Sequence, residues 1–221
     1  MSGTRVFLLR HAETAAPQVF HGAESDVGLS TKGHRQAELI AETLALFRPE
    51  VIVSSAMRRA HDTAAKIAQT CSVPHLVEPL LHERIVGSLS GVPLAGNAIW
   101  TETAQRWSSG QTDWANPGAE SYDDIRRRVM PVWKRVVEAH RHKTIVVVAH
   151  GKVCKVLLLT LFPTWTWTGL GSIRNVGLTE LHLNDGQWRA ERINEWPTAI
   201  SDLEFAEAVP TKLGHTLPSP K

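Results

Sequence analysis

Cysteine is nearly absent: the 221 residues hold only Cys71 and Cys154, far apart and outside any CxxC spacing. That argues against a disulfide framework and for a reducing, cytoplasmic setting. Each cysteine reads as a small buried apolar residue rather than a reactive thiol. Long apolar runs are missing too. The nearest, from Val153 to Phe162, falls well short of the roughly 18 residues of a membrane span and reads as a buried helix. The chain opens without a basic start, apolar core and small-residue cleavage site, so no secretory signal is expected. Charge of one sign is not in surplus: 24 basic residues face 22 acidic ones, a net +2. Neither a nucleic-acid surface nor a polybasic membrane patch follows from that balance. There are no internal repeats and no low-complexity tracts. DxD and HExxH patterns are absent, and the 11 histidines do not fall at metal-ligand spacings. No metal and no cofactor are therefore expected.

What is present is an alternation of short apolar runs with helical periodicity. Arg5–Leu9, Val51–Val53, His75–Val77 and Thr144–Ala149 read as buried strands. Thr31–Phe47, Arg58–Thr70, Tyr122–His142 and Gly151–Phe162 read as helices, with Pro131 expected to kink or interrupt the third. Val176–Leu183 and Gln187–Ile193 read as a hairpin across Asn184-Asp185-Gly186. The pattern predicts an α/β three-layer sandwich, with a mostly parallel central sheet and helices on both faces. Residues 1–200 are expected to form one domain, and residues 201–221 a flexible C-terminal tail. The segment of about 80–120, irregular and holding Trp100, Trp107 and Trp114, is expected to cap the strand C-terminal ends. Those tryptophans recur every seven residues and read as the packed face of a cap helix.

In such sheets ligands bind where the strands finish. Arg10-His11, Ser54 to Arg58, and His150-Gly151 all follow strands. If those strands run parallel, Arg10, Arg58, His11 and His150 meet at one point. Guanidinium forks suit phosphate oxygens and offset the charge of a transferring phosphoryl group. A neutral imidazole is a competent nucleophile near pH 7, because its unperturbed pKa is about 6.5. Attack on phosphorus would give a phosphohistidine and divide one displacement into two. The leaving alcohol then needs a proton, for which Glu83 is the best-placed carboxyl, at the entry to the cap.

At these residues the chain resembles a known family. Leu8-Leu9-Arg10-His11-Ala12-Glu13-Thr14 resembles the RHG motif of the histidine phosphatase superfamily, the phosphoglycerate-mutase-like proteins. Gly28 to Gly33 with Gln36-Ala37 is similar to that family's LTxxGxxQA segment, and Ser54 to Ala60 with Thr63-Ala64 to its SSPLxRAxxTA segment. Val146 to Gly151 resembles the second-histidine strand, Leu81-His82-Glu83 the block with the proton donor, and Gly118 to Ser121 the GGES turn. The blocks occur in order over roughly residues 5–195. The resemblance implies His11 as nucleophile, Glu83 as acid, and Arg10, Arg58 and His150 as holders of the phosphoryl oxygens, with no metal. It implies a histidine acid phosphatase-type phosphomonoesterase, acting through a phosphohistidine on a small phosphorylated metabolite. The modest Glu83–His150 spacing is similar to the phosphatase branch rather than the mutases.

Two departures stand out. Ala12 replaces the usual glycine, and Pro17 stands where many members have a phosphate-contacting asparagine, with His21 or Asn175 as possible substitutes. These motivate an alternative reading as an inactive phospho-ligand-binding module; a phosphoglycerate-mutase-type transferase is the other alternative. Arg59 is read as a surface or ion-paired neighbour of Arg58, Glu120 as a turn or cap residue, and Trp165 and Trp167 as packing. Nothing in the sequence sets the substrate or the oligomeric state.

Overall fold

The computed structural model describes residues 3–208 of the chain. In order, the elements are β1 (Thr4–Arg10), α1 (Thr31–Ala45), β2 (Val51–Ser54), α2 (Arg58–Cys71), β3 (His75–Val77), α3 (Ala98–Ser108) and α4 (Tyr122–Ala139). They continue as β4 (Thr144–Ala149), α5 (Gly151–Leu161), α6 (Trp167–Leu170), β5 (Leu178–Asn184), β6 (Gln187–Glu195) and α7 (Thr198–Ala208). The six strands lie in the order β3-β2-β4-β1-β5-β6. β1, β2, β3 and β4 are parallel; β5 runs antiparallel to β1, and β6 antiparallel to β5. The expected fold class is observed.

Side chains alternate across a pleated strand, so a sheet covered on both faces must be apolar at every position. β1 shows this directly. Val6 and Leu8 join the core beneath α4 and α5, with Ile125, Val129, Val153 and Leu157. Phe7 and Leu9 join the core beneath α1 and α2, with Ile40, Leu44, Ala64 and Ile67. Each such aliphatic side chain contributes about 1.5–3 kcal/mol when taken fully out of water. The hairpin turns at Asp185-Gly186, both at positive φ (49° and 77°), the left-handed pair a tight two-residue turn needs.

The loop leaving β1 is fixed by α1. Ser30 caps that helix, its hydroxyl accepting from the Gly33 amide at 2.9 Å. The buried Gln36 side chain accepts from the Glu13 amide at 2.8 Å. A Cβ at Gly33 would sit 2.0 Å from the Glu13 carbonyl oxygen, so only glycine allows the helix this close to the chain after His11.

Two expectations are corrected. α4 runs unbroken through Pro131, because the proline lies on the exposed face, where the carbonyl four residues earlier can turn to water. The boundary placed at residue 200 falls inside α7: Ile200 is buried against the α1–α2 core, and Glu204 bonds to Lys32 and Gln36 at 2.8 and 2.6 Å. The remainder of the expected tail, residues 209–221, lies outside the described residues. The segment expected as a cap holds two short 3-10 turns and α3, and a small cluster of Phe20, Val86, Leu89 and Trp100 joins it to the loop after β1.

Candidate active site

The strand register brings the polar clusters together. Arg10 pairs with Ala149 across β1–β4, and the ladder extends one step to a His11 amide donating to the Ala149 carbonyl at 2.9 Å. On the other side of β4 the Ser55 amide donates to Val148 O at 3.1 Å. A cavity of about 290 Å³ opens above these ends, with Arg10, His11, Glu83, Trp100, Lys152 and Asn175 among its lining residues.

His11 and His150 are buried, with ring centroids 5.2 Å apart. Nδ1 of His11 lies 2.7 Å from the Ala12 carbonyl oxygen. Only an N–H can bond there, so Nδ1 carries the proton and Nε2 the lone pair. Burial pushes the His11 pKa well below 6.5, and the charges of Arg10 and Arg59 push it further. Burial, Arg59 and His11 do the same to His150. Both rings are therefore neutral at physiological pH. Neither nitrogen of His150 has a hydrogen-bond partner, and the same holds for Nε of Arg10 and of Arg59. Buried polar atoms without partners are costly. Arg10 and His11 line the strand-end cavity. His150 and Arg59 are not among its lining residues but lie close to His11, His150 at 5.2 Å between ring centroids and Arg59 near enough for its charge to act on both rings, a set of donors and imidazole nitrogens that suits an oxyanion.

These neutral histidines carry a stability consequence. In the unfolded chain each takes up a proton near 6.5, while the fold resists it. Between that value and the lower folded pKa the unfolded state holds more protons, so stability falls with acidification. The loss is about 1.4 kcal/mol per pH unit per histidine. Denaturant midpoints are expected to drop from pH 7 to 5, and less steeply in His150→Gln. A flat wild-type profile would contradict neutral burial.

The arginine expectation is corrected. The Arg58 side chain is 67 % exposed, stretched toward Asp62 at 3.9 Å, and does not line the pocket. Arg59 is the buried one, at 0 % exposure. Its Nη1 donates to Ser25 O at 2.8 Å, and its Nη2 to His21 O at 3.1 Å and Gly22 O at 3.3 Å. It is Arg59, not Arg58, whose charge acts on both histidines. The sequence carried the signal: Arg59, Thr63 and Ile67 repeat at helical spacing, all buried, whereas Arg58, Asp62 and Lys66 share the outer face. The pattern SSPLxRA likewise puts Arg58 at its variable position and Arg59 at its arginine.

Glu83 stands on the cap side, across the pocket from β1. Its Oε1 accepts the Arg84 amide at 2.8 Å, and its Oε2 accepts the Lys152 amide in the first turn of α5 at 3.3 Å. Arg128 holds the Glu83 carbonyl at 3.2 Å and pairs with Glu120 at 2.7 Å. Glu120 is thus committed to positioning the cap. Ala12 is buried in the core and its amide donates to Thr63 Oγ1 at 3.1 Å, so its methyl points away from the cavity chemistry. Pro17 lines the cavity, as do both suggested substitutes. His21 has both ring nitrogens engaged, with Ser25 and Ala16, and Asn175 donates to the His11 carbonyl at 2.9 Å. Among the described residues, the metal-competent cluster is Glu180, His182 and Glu191 on the hairpin, where Arg5 and Arg192 already pair with Glu180. None of those residues lines the cavity.

Two features were not anticipated. Trp100 lines the cavity and packs on Phe20 at a tilt of 55°, with centroids 4.7 Å apart, instead of only packing within the cap. Lys152 and Lys155 also line the cavity, though the sequence showed them only as polar interruptions in an apolar helix.

A parallel sheet whose strand ends bring two neutral imidazoles within 5.2 Å of each other, beside a cavity lined by Arg10 and His11, marks a class of α/β enzymes that handle phosphate esters. Within that class the chain belongs to the histidine phosphatase superfamily (branch 1), whose family model matches residues 6–195. It is similar to a metal-independent phosphoserine phosphatase of Arabidopsis thaliana, 35% identical over 198 residues, covering 84% of this chain and 79% of that protein. It is also similar to a glucosyl-3-phosphoglycerate phosphatase of Mycobacterium tuberculosis, 31% identical over 201 residues, covering 85% of this chain and 88% of that one. A solved structure of a mycobacterial glucosyl-3-phosphoglycerate phosphatase superposes with a TM-score of 0.78 at 27% identity, covering 88% of this chain and 100% of that one. The expected family and the expected enzyme class, a phosphoric monoester hydrolase, agree with these findings. No helix among the described residues is long and apolar enough to cross a membrane.

Proposed function

We propose that this protein hydrolyses phosphomonoesters of small metabolites, passing the phosphoryl group through Nε2 of His11 without a metal. One observation carries the reading: His11 is held neutral, with its lone pair on Nε2, beside His150 and the unpartnered Nε atoms of Arg10 and Arg59. In the first step Nε2 attacks phosphorus, the P–O ester bond breaks, and the alcohol leaves with a proton from the Glu83 carboxyl. In the second, the Glu83 carboxylate takes a proton from water. The hydroxide breaks the P–N bond, which returns His11 neutral and releases inorganic phosphate. Arg10, Arg59 and His150 stabilise the equatorial oxygens, where charge accumulates. The relatives' names support a small phosphorylated substrate; phosphoserine and glucosyl-3-phosphoglycerate both carry a carboxylate beside the phosphate ester. Both cysteines are unpaired, which fits a reducing, cytoplasmic setting.

Phosphate release from a panel of esters tests the proposal. Turnover is expected to survive strong chelation within about twofold, since no step uses a Lewis acid. Loss of activity on chelation, restored by a divalent ion, would refute metal independence. Efficient isomerisation of 3-phosphoglycerate with little hydrolysis would favour the mutase reading instead.

A further inference from the structure

The cavity has a second cationic wall that the phosphoryl chemistry does not use. Lys152 and Lys155 lie three residues apart in α5, so their side chains share a face. The Lys152 ammonium sits 4.0 Å from the Trp100 ring centroid and 5.0 Å from that of Trp167. The Lys155 ammonium sits 4.1 Å from Trp167 and donates to the Gly171 carbonyl at 2.5 Å. Lys155 is thereby fixed. Lys152 has no hydrogen bond or ion pair to its ammonium among the described residues, only the two aromatic faces. A third cation, Arg84, lines the same wall, with Nη1 buried and unpartnered. Lys152 is half-buried, and a cation held partly out of water without a counter-charge is unfavourable until an anion joins it. The aromatic faces hold such a cation in place without neutralising it.

We propose that Lys152, backed by Lys155 and Arg84, binds a carboxylate of the substrate, so that this cavity selects phosphate esters of small carboxylic acids. The proposal rests on the phosphomonoesterase reading for the phosphate end of the ligand. Adjacency supports it. Lys152 is two residues beyond His150, and its amide reaches Glu83, so one helical turn touches both the reacting end and this wall. Electrostatics support it as well. Burial, chiefly, and then the neighbouring Lys155 lower the Lys152 pKa to about 7; Glu83 opposes this, while Arg84 and Arg10 add to it. A bound carboxylate supplies the counter-charge that this wall lacks.

The test is direct binding by calorimetry in the His11→Ala background, where no ester is consumed. D-3-phosphoglycerate and sn-glycerol 3-phosphate, which differ in a carboxylate against a hydroxymethyl, are the probes. The acid is expected to bind at least about tenfold tighter, the size of one charge-assisted hydrogen bond. Lys152→Met should erase that preference and leave glycerol 3-phosphate within about twofold, and Lys152→Arg should restore it. The preference should also shrink from pH 6.5 to 8.5 as Lys152 loses its proton; the phosphate's own ionisation is common to both probes and cancels. No preference in the parent, or equal weakening of both probes by Lys152→Met, overturns the proposal. Phosphate release by the wild type is scored separately. Hydrolysis without the preference sinks the carboxylate site alone, and the preference without hydrolysis sinks the esterase reading alone.

Discussion

His11→Ala is expected to lower phosphate release by at least about 10⁴-fold, with little change in the affinity for the phosphate ester. The reason is that His11 makes a bond that no neighbour can make. Its Nε2 is a free lone pair on a ring that lines the cavity, whereas the other neutral imidazole, His150, is not among the cavity's lining residues. Losing a covalent nucleophile removes the two-step path, and the residual rate reflects only the oxyanion-stabilising groups. The wild type, quenched during turnover, should carry a phosphoryl group that is labile in acid and stable in alkali, as a phosphoramidate is. It should map to His11 and vanish in His11→Ala. A phosphoenzyme stable in acid, or one mapping to a serine, would contradict the nucleophile.

The second large effect separates two adjacent arginines. Arg59→Met is expected to cut kcat/KM by about 10² to 10³-fold, the range for removing one preorganised charge stabiliser, or about 3–4 kcal/mol of barrier. It should also lower thermal stability, because the guanidinium ties three carbonyls of the loop after β1 to α2. Arg58→Met should leave kcat/KM within about twofold, since its side chain is 67 % exposed and pairs with the half-buried Asp62 at 3.9 Å. Measuring kcat/KM alongside thermal midpoints separates catalysis from folding. Equal effects at the two positions, or a larger one at Arg58, would reverse the assignment.

That contrast shows how much of the site was legible in the chain. The strands declared themselves because buried parallel strands must be apolar on both faces, and the residues following each strand then had to share one edge. Arg10, His11 and His150 came from that logic together with the resemblance to the family. The hairpin was legible because Asp185-Gly186 tolerates positive φ. The arginine was misread because adjacent helical residues point about 100° apart, and placing Arg58 by its nearness to the strand end ignored which face of α2 carries Ala60, Ala64 and Ile67. α7 was missed because its burial rests on only two apolar residues, Ile200 and the partly buried Leu203, and on ties from Glu204 to α1, too short a pattern to stand out. Lys152 and Trp100 were opaque for a different reason. Their roles depend on where the cap folds back, and irregular chain carries no period from which to read that.

A crystal structure with orthovanadate tests the central claim most directly. Vanadium should stand within covalent reach of His11 Nε2, its equatorial oxygens held by Arg10, Arg59 and His150 and an apical oxygen facing Glu83. Vanadate bound away from His11, or held by Arg58 with Arg59 uninvolved, would contradict it.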